Sequence, residues 1–434
     1  MMKTPKPGYQ LVPSLFDEFY EIPNEWGFPS LNEIIKKNPK TVNPFDFPDE
    51  DFELFSIPAY HETKKPIIEK GKKILSTKFK VENDYVLFGK LNPDLPKIWF
   101  VSSKSKLRKI SSSEFIPLIG KSNMDSKYLY YLAWSEFLYG KCKSFVTGTT
   151  NSRERVDPKL FRKLKVPIPE IKEQERIAGI LSNVDSLIDN NNSQIEKEQI
   201  IKNAFLNKLF VEGVKNESLE KKTLSPRYCQ YAIPKKWKIK PLEKLLSILR
   251  DGTHTPPPRT EFGIPLLSAE NIHDGIIDFD FEISYISEED YKKIHVSYEI
   301  EINDLLLTII GASIGRISKV PKMNKFSLQR SVAILRTNEQ LTPDYLFYFM
   351  HTDYFQRQLI ARSNATAQAG VYLGEIGKIP IFYPELPEEQ TITTNIFNNI
   401  NSKLENLSLR GLEFENLKKG LMQKLLTGEI RVKV

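Results

Sequence analysis

"LKKGLMQKLLTGEIRVKV", Leu417 to Val434, closes the chain, and "IKNAFLNKLFVEG", Ile201 to Gly213, says nearly the same thing in its middle. Each stretch reads as the last turns of a helix with one apolar stripe, stopped by a glycine, Gly213 or Gly428. Leu209 and Leu425 are 216 residues apart. A helix ending written twice raises the question of whether the whole chain is written twice.

Three further landmarks say that it is. "IPNEW" begins at Ile22 and "IPKKW" at Ile233, an offset of 211. "VPIPEIKEQ" spans Val166 to Gln174 and "IPIFYPELPEEQ" spans Ile379 to Gln390. Val166 to Ile379 is an offset of 213, and Gln174 to Gln390 restores 216. Each half is therefore a variable block of mixed α/β character followed by a long helix. "DLLLTII" (Asp304 to Ile310) and "SVAILR" (Ser331 to Arg336) read as strands. "SKYLYYLAWSEFLYG" (Ser126 to Gly140) and "TPDYLFYFMHTDYFQRQLI" (Thr342 to Ile360) read as helices, the second with Thr342 as cap and proline in its first turn.

The helix after each block carries apolar residues at spacings of three and four, which share one face. In the first copy the packing residues are Ile180, Val184, Leu187, Phe205 and Leu209; in the second they are Ile396, Ile400, Leu404, Leu407, Phe414, Leu421 and Leu425. Gly411 interrupts the second row, at about 1 kcal/mol, and Asn190 to Asn192 weaken the first. A helix of about 40 residues is a rod of about 60 Å. Its stripe must be buried, and the nearest partner is the other rod, packed antiparallel as a coiled coil. The expected fold class is α+β: two α/β recognition domains separated by two long antiparallel helices, with an internal pseudo-twofold. The expected boundaries are a first domain over 1–168, a first helix over 169–213, a linker over 214–232, a second domain over 233–383, and a second helix with tail over 384–434.

Composition limits the partners. The 434 residues argue for two or three domains. A net charge of +7 suits nucleic acid, and also suits many ordinary soluble proteins. The two cysteines, Cys142 and Cys229, lie in different halves and form no CxxC, so neither a disulfide framework nor a zinc site is expected. The opening residues carry Asp17, Glu18 and Glu21 and do not read as a signal peptide, and no run of 18 apolar residues is present. A reducing cytoplasm is the expected compartment.

Motifs for chemistry are missing. There is no GxGxxG, Walker glycine–lysine motif, HExxH or G-x-S-x-G. No amino-methyltransferase NPP[YF] occurs, "NPFD" at Asn43 lacking the second proline, and no nuclease carboxylate cluster is evident. A duplicated catalyst should repeat its polar residues, whereas the repeated stretches here are structural. No catalytic, cofactor-binding or metal-ligating residue is expected in this chain.

Polyanion chemistry is present. Residues 61–110 hold 13 Lys and Arg against 5 Asp and Glu, centred on "SSKSKLRKISSSEF" with Lys104, Lys106, Arg108 and Lys109. "TGTTNSRERVD" (Thr147 to Asp157) and "ARSNATAQAG" (Ala361 to Gly370) are small polar segments around a long donor. Counting back from Leu160 and Leu373 sets Arg155 against Gln368 and Thr150 against Ser363, with Arg153 and Arg362 close by. Arginine reads guanine and glutamine reads adenine, each with about 1–3 kcal/mol of discrimination. "RDGTHTPPPR" (Arg250 to Arg259) is a turn-rich loop presenting Thr253, His254 and Thr255. "GASIGR", Gly311 to Arg316, follows a strand and has two flexible glycines, which suits either a backbone approach to phosphate or a hairpin; Arg330 sits just before a strand, where it fits a surface charge equally well.

Together, "DGTHTPP" near the start of a block, the "IPIP…EQ" step into a long helix, and the ending "LKKGLMQKLLTG" resemble the specificity subunit of type I restriction–modification systems. The likeness covers essentially the whole chain, in the order recognition domain, helix, recognition domain, helix. It implies a non-catalytic subunit whose two domains each read half of a split asymmetric double-stranded DNA target. It implies helices that act as a ruler across the unread spacer. It implies two methyltransferase subunits, which carry S-adenosylmethionine and methylate adenine, and two restriction subunits, which use ATP and Mg; this chain would bind none of those cofactors. The first half departs from the pattern, having "NPFDFPDEDFELFSIPAYHE" where "DGTH" is expected. There "IPAYHE" stands in for "IPLLSAENIHDG", Ile264 to Gly275. Three alternatives stay open at this level: a self-contained restriction enzyme, a coiled-coil scaffold with no DNA role, and the recognition part of a methylation-only system.

Overall fold

The computed structural model describes residues 5–13, 19–142, 146–147, 154–213, 218–224, 229–255, 257–364 and 369–433. The chain divides into two compact units. The first joins residues 1–192 to 409–434, and the second is residues 193–408. Each unit thus holds one block, one end of the long helix Ile171–Glu212, and the opposite end of the long helix Pro387–Leu426.

Within each unit the two helix ends run antiparallel. In the first unit Ile177, Ala178 and Leu181 share a core with Leu425 and Leu426. Further along, Asp185 pairs with Lys418 at 2.6 Å. Asn191 is buried below Gly411, where a Cβ would lie 3.2 Å from its Nδ2. The glycine that breaks the apolar row therefore makes room for the asparagine that breaks the other row. In the second unit Glu198 pairs with Lys403, and the rings of Phe210 and Phe397 pack tilted with centroids 5.4 Å apart. As numbers rise along one helix they fall along the other, so the expected antiparallel α+β architecture is the one found.

The seam is not formed by every residue expected on it. Val184, Leu209, Leu407 and Leu425 are buried, and Ile180, Ile396, Ile400, Leu404, Phe414 and Leu421 are half-buried. Leu187 and Phe205 stand outside it, 45% and 42% exposed. The seam passes through Ile188 and Asn191 instead of Leu187. At the other end Leu206 and Phe210 face inward, because Tyr345 and Phe349 of the helix Pro343–Met350 pack on that side.

The two blocks share a plan. In the first unit the strand Asp51–Phe55 lies parallel to Arg108–Ser111, with Phe55 opposite Ser111, inside a five-stranded sheet. In the second, Ile264–Leu267 lies parallel to Ser327–Leu328, with Leu267 opposite Leu328. A second sheet in each unit carries the antiparallel pairs Val86–Gly89 with Phe115–Leu118 and Leu305–Thr308 with Val332–Thr337. The two strands read from sequence in the second block are these last two, within a residue or two of the expected ends.

The helix expected over Ser126–Gly140 is α-helical to Ala133 and then a π turn over Glu136–Gly140. The one expected over Thr342–Ile360 is two helices, Pro343–Met350 and Asp353–Ala361. The break has a local cause. Thr352 donates its hydroxyl to the Phe349 carbonyl and accepts from the Phe355 N–H, ending one helix and capping the next. Thr342 caps the first of them by accepting from Tyr345 N–H.

Residues 214–232, expected as a linker, hold most of a hairpin, Leu219–Leu224 with Cys229–Pro234. The first unit has an equivalent hairpin, Tyr9–Pro13 with Phe19–Pro23. Charged, exposed side chains at Glu220 and Lys221 gave it the look of a polar linker. Among the described residues no helix is long and apolar enough to cross a membrane.

Candidate nucleic-acid interface

Three turns distant in sequence meet in each unit. In the first, Lys90 donates its N–H to the Glu114 carbonyl, Asn92 to that of Glu154, and Val156 to that of Lys90. In the second, Ile309 donates to Ser331, Gly311 to Ala369, and Val371 to Ile309. The bridges Leu91–Arg155 and Ile310–Gly370 complete the match. Asn92 and Gly311 occupy the same turn position with φ of 47° and 88°, a conformation that glycine and asparagine tolerate best. The third turn is Ser112–Glu114 or Gln329–Ser331. There Ser112 N donates to Phe55 and Gln329 N to Leu267, while their carbonyls accept from Phe115 and Val332.

By these bonds Arg155 in the first unit is equivalent to Gly370 in the second, two residues past Gln368. The count from Leu160 and Leu373 slips because Leu160 is an exposed residue and an accidental match. The buried equivalents are Leu164 and Ile379, whose carbonyls accept from Leu31 and Leu242, so the offset here is 215 and not the 213 read from Val166.

Arg155 Nε donates to Glu114 Oε2 at 3.1 Å, so its guanidinium is held across the turn cluster. Lys97 was not singled out by sequence. It is buried, and its ammonium donates to the carbonyls of Leu91, Asn92 and Leu95, satisfying all three of its donors. Burial pushes its pKa down. It clasps the loop that bears Asn92. A lone lysine after a proline-rich turn carries no sequence signal for this role.

The basic segment lies elsewhere. Lys104 and Lys106 are exposed, in the segment before the strand Arg108–Ser111, whose far end leads into Ser112. Arg108 is engaged by Glu50 at 3.1 Å and lies over the Phe47 ring. Lys109 is turned toward Glu53 and donates to the Ser105 carbonyl. Among the described residues the segment thus offers two cations without an ion pair rather than four.

In the second unit a fourth turn joins the cluster. Thr253 N donates to the Leu328 carbonyl at 2.8 Å, and Arg330 N donates to the Thr253 carbonyl at 3.2 Å. The approach requires glycine at 252, since a Cβ there would sit 2.1 Å from the Leu328 oxygen. His254 is exposed and its Nε2 lies 2.9 Å from Asp251 Oδ2. Thr255 is exposed and its carbonyl accepts from the Thr253 hydroxyl. Arg330 is exposed and Arg316 half-buried. Arg362 donates to the Gln358 carbonyl, and Ser363 to that of Ile360. The structure therefore brings Thr253, His254 and Arg330 together, and sets Arg316 on the turn beside Gly370. Thr150, Arg153 and Gln368 lie outside the described residues. Among the described residues no cluster of three or more His, Cys, Asp or Glu is placed to hold a metal ion.

Residues 23–199 and 234–413 each match the family described as the type I restriction modification DNA specificity domain. The specificity subunit of the type I restriction enzyme MjaVIII from Methanocaldococcus jannaschii is 26% identical over 424 residues, covering 95% of this chain and 94% of that one. A chain from a study of complex assembly and conformational transition of the type I R-M system superposes with a TM-score of 0.61 at 16% identity, covering 95% of this chain and all of that one. The S subunit of a type I restriction-modification system from M. genitalium gives a TM-score of 0.52 at 15% identity, covering 92% and 96%.

Proposed function

Because the chain belongs to the type I restriction modification DNA specificity family, we propose that its turn clusters read DNA, each unit taking one half of a bipartite asymmetric target. The chain is a sequence-specific DNA-binding subunit and not itself a catalyst. One observation carries the assignment of the reading surface: the same cluster of turns is built twice from the same backbone bonds, with different side chains at its tips. A shared scaffold with unlike tips suits two unlike half-sites.

In this reading the partners are two methyltransferase subunits that modify adenine N6 using S-adenosylmethionine, joined by two restriction subunits that use ATP and Mg for cleavage. A duplicated chain offers two equivalent docking surfaces to two identical partners. The two long helices, of 42 and 40 residues, fix the number of base pairs left unread. The complex works in the cytoplasm, where DNA is accessible.

The test is to co-express the chain with its methyltransferase and map methylated adenines by single-molecule sequencing. A split motif with a fixed gap and one methyl-adenine on each strand is expected. A short continuous motif would show that only one unit reads DNA. Absence of any motif, with an active partner, would favour a scaffold without a DNA role.

A further inference from the structure

We propose that one shared turn position is a base-reading position in both units: Ser112 in the first and Gln329 in the second, with Gln329 reading an adenine. The proposal rests on the DNA-reading function above and names a residue within it.

The equivalence is structural, since the sequences "SSSEF" and "LQRSV" share little. Ser112 N donates to Phe55 at 2.9 Å and Gln329 N to Leu267 at 2.8 Å; each carbonyl then accepts the N–H three residues on, at 3.1 Å. Exposure follows the same order along both turns: half-buried, exposed, half-buried.

Gln329 has a rigid base. Its backbone is bonded to Leu267 and Val332 and bridges Thr253, and Gly252 is pressed against its carbonyl and that of Leu328. Its carboxamide makes no hydrogen bond among the described residues. The next residue, Arg330, is exposed and has no ion pair among them, and His254 stands on the adjoining turn. A half-exposed amide on a fixed backbone, beside a free cation, joins one base-reading group to one phosphate-seeking group.

The chemistry selects the base. A carboxamide presents one donor and one acceptor in a plane, which matches adenine N6 and N7 in the major groove. Such a pair is expected to give a preference of about 5- to 150-fold. Ser112 differs. Its hydroxyl already accepts from Glu114 N–H, the next residue is Ser113 and not arginine, and a hydroxyl pairs with several bases. The first half-site is then read less strictly at its corresponding position.

Two variants test this in the full chain, co-expressed with the methyltransferase, with methylated motifs mapped as before. Gln329→Ser is expected to relax one base in one half-site. Gln329→Glu is expected to move that base from adenine toward cytosine, whose N4 amine donates to a carboxylate. The other half-site and the gap stay the same. An unchanged motif in both variants would overturn the inference while leaving the split-target function standing. So would changes spread over both half-sites, or loss of methylation in both variants with a native thermal transition. Absence of a split motif with the unaltered chain would instead overturn the reading on which the inference rests.

Discussion

Gln174 and Gln390 make the same three hydrogen bonds in their respective units. Gln174 Oε1 accepts from Asp125 N–H at 2.9 Å, and its Nε2 donates to the carbonyls of Asn123 and Pro169. Gln390 Oε1 accepts from Thr342 N–H at 2.8 Å, and its Nε2 donates to those of Gln340 and Pro384. Each glutamine ties the first turn of a long helix to the capping residue of a block helix. Gln390→Leu keeps the volume and strands an N–H and two carbonyls in a buried site. The expected loss is about 3 kcal/mol, read by urea denaturation with circular dichroism. A loss below about 1 kcal/mol would mean that water replaces the amide and that the tie is not structural.

Phe205 and Phe210 make a second contrast. Both fit an apolar stripe, yet Phe210 is fully buried against Tyr345, Phe349 and Phe397, whereas Phe205 is 42% exposed. Phe210→Ala should cost about 3–5 kcal/mol. Phe205→Ala should cost less than about 1 kcal/mol, as surface changes do. Equal losses in urea would place the seam where the simple stripe puts it.

These two cases show how far letters reach. The duplication, the antiparallel helices and the capping Thr342 were legible because spacing, period and cap chemistry are local and repeat. Gln174 was visible as a landmark, but its bonds were not. The turn cluster was hidden for a different reason. Ser112 and Gln329, or Asn92 and Gly311, occupy one backbone position with different side chains, so only hydrogen bonds between distant strands reveal them. Charge was the least informative signal, since Arg108, Lys109 and Arg155 look alike in sequence to Lys104 and differ only in the acids that folding sets beside them.

Gly428 and Gly420 predict opposite signs for one substitution. Gly428 has φ of 72° and stops the second helix with its Cα against Pro23, where a Cβ would lie 2.5 Å from the ring. Beyond it Arg431 forks onto Glu173 at 2.9 and 3.1 Å, reaches Glu25, and Glu173 also accepts from Trp26 Nε1. Gly428→Ala should cost at least about 1–2 kcal/mol and free the tail to trypsin at Arg431. Gly420 lies within the helix with open space around it, so Gly420→Ala should stabilise by up to about 1 kcal/mol. A tail that stays protected in Gly428→Ala would detach the glycine stop from the arginine clasp.

Two histidines of the second unit give a pH dependence. Burial lowers the pKa of His295, with the Tyr298 carbonyl and Glu299 opposing; its other ring nitrogen meets the Ser327 hydroxyl. Burial also lowers that of His351, with Lys202 adding to it and the Phe347 carbonyl and Asp274 opposing. Both take up a proton less readily when folded than when unfolded, where histidine gains its proton near pH 6.5. The unfolded chain then binds more protons, so stability is complete above about pH 6.5 and falls as pH drops below it. The thermal midpoint should decrease from pH 7.5 to 5.5, and His295→Gln should flatten that slope. A midpoint that rises on acidification would contradict the sign.

Lys104 and Lys106 lie just before the strand Arg108–Ser111, whose other end leads into the turn cluster. Distance from the reading turns suits phosphate binding, which carries charge but no sequence. Replacing both by glutamine should weaken binding to target and non-target duplexes alike. Each phosphate left unneutralised lowers the slope of log affinity against log salt by about 0.9, so the double variant should flatten it by roughly 2. The methylated motif should not change. An unchanged slope would place both lysines in solvent away from DNA, and a changed motif would place a base, not a phosphate, within their reach.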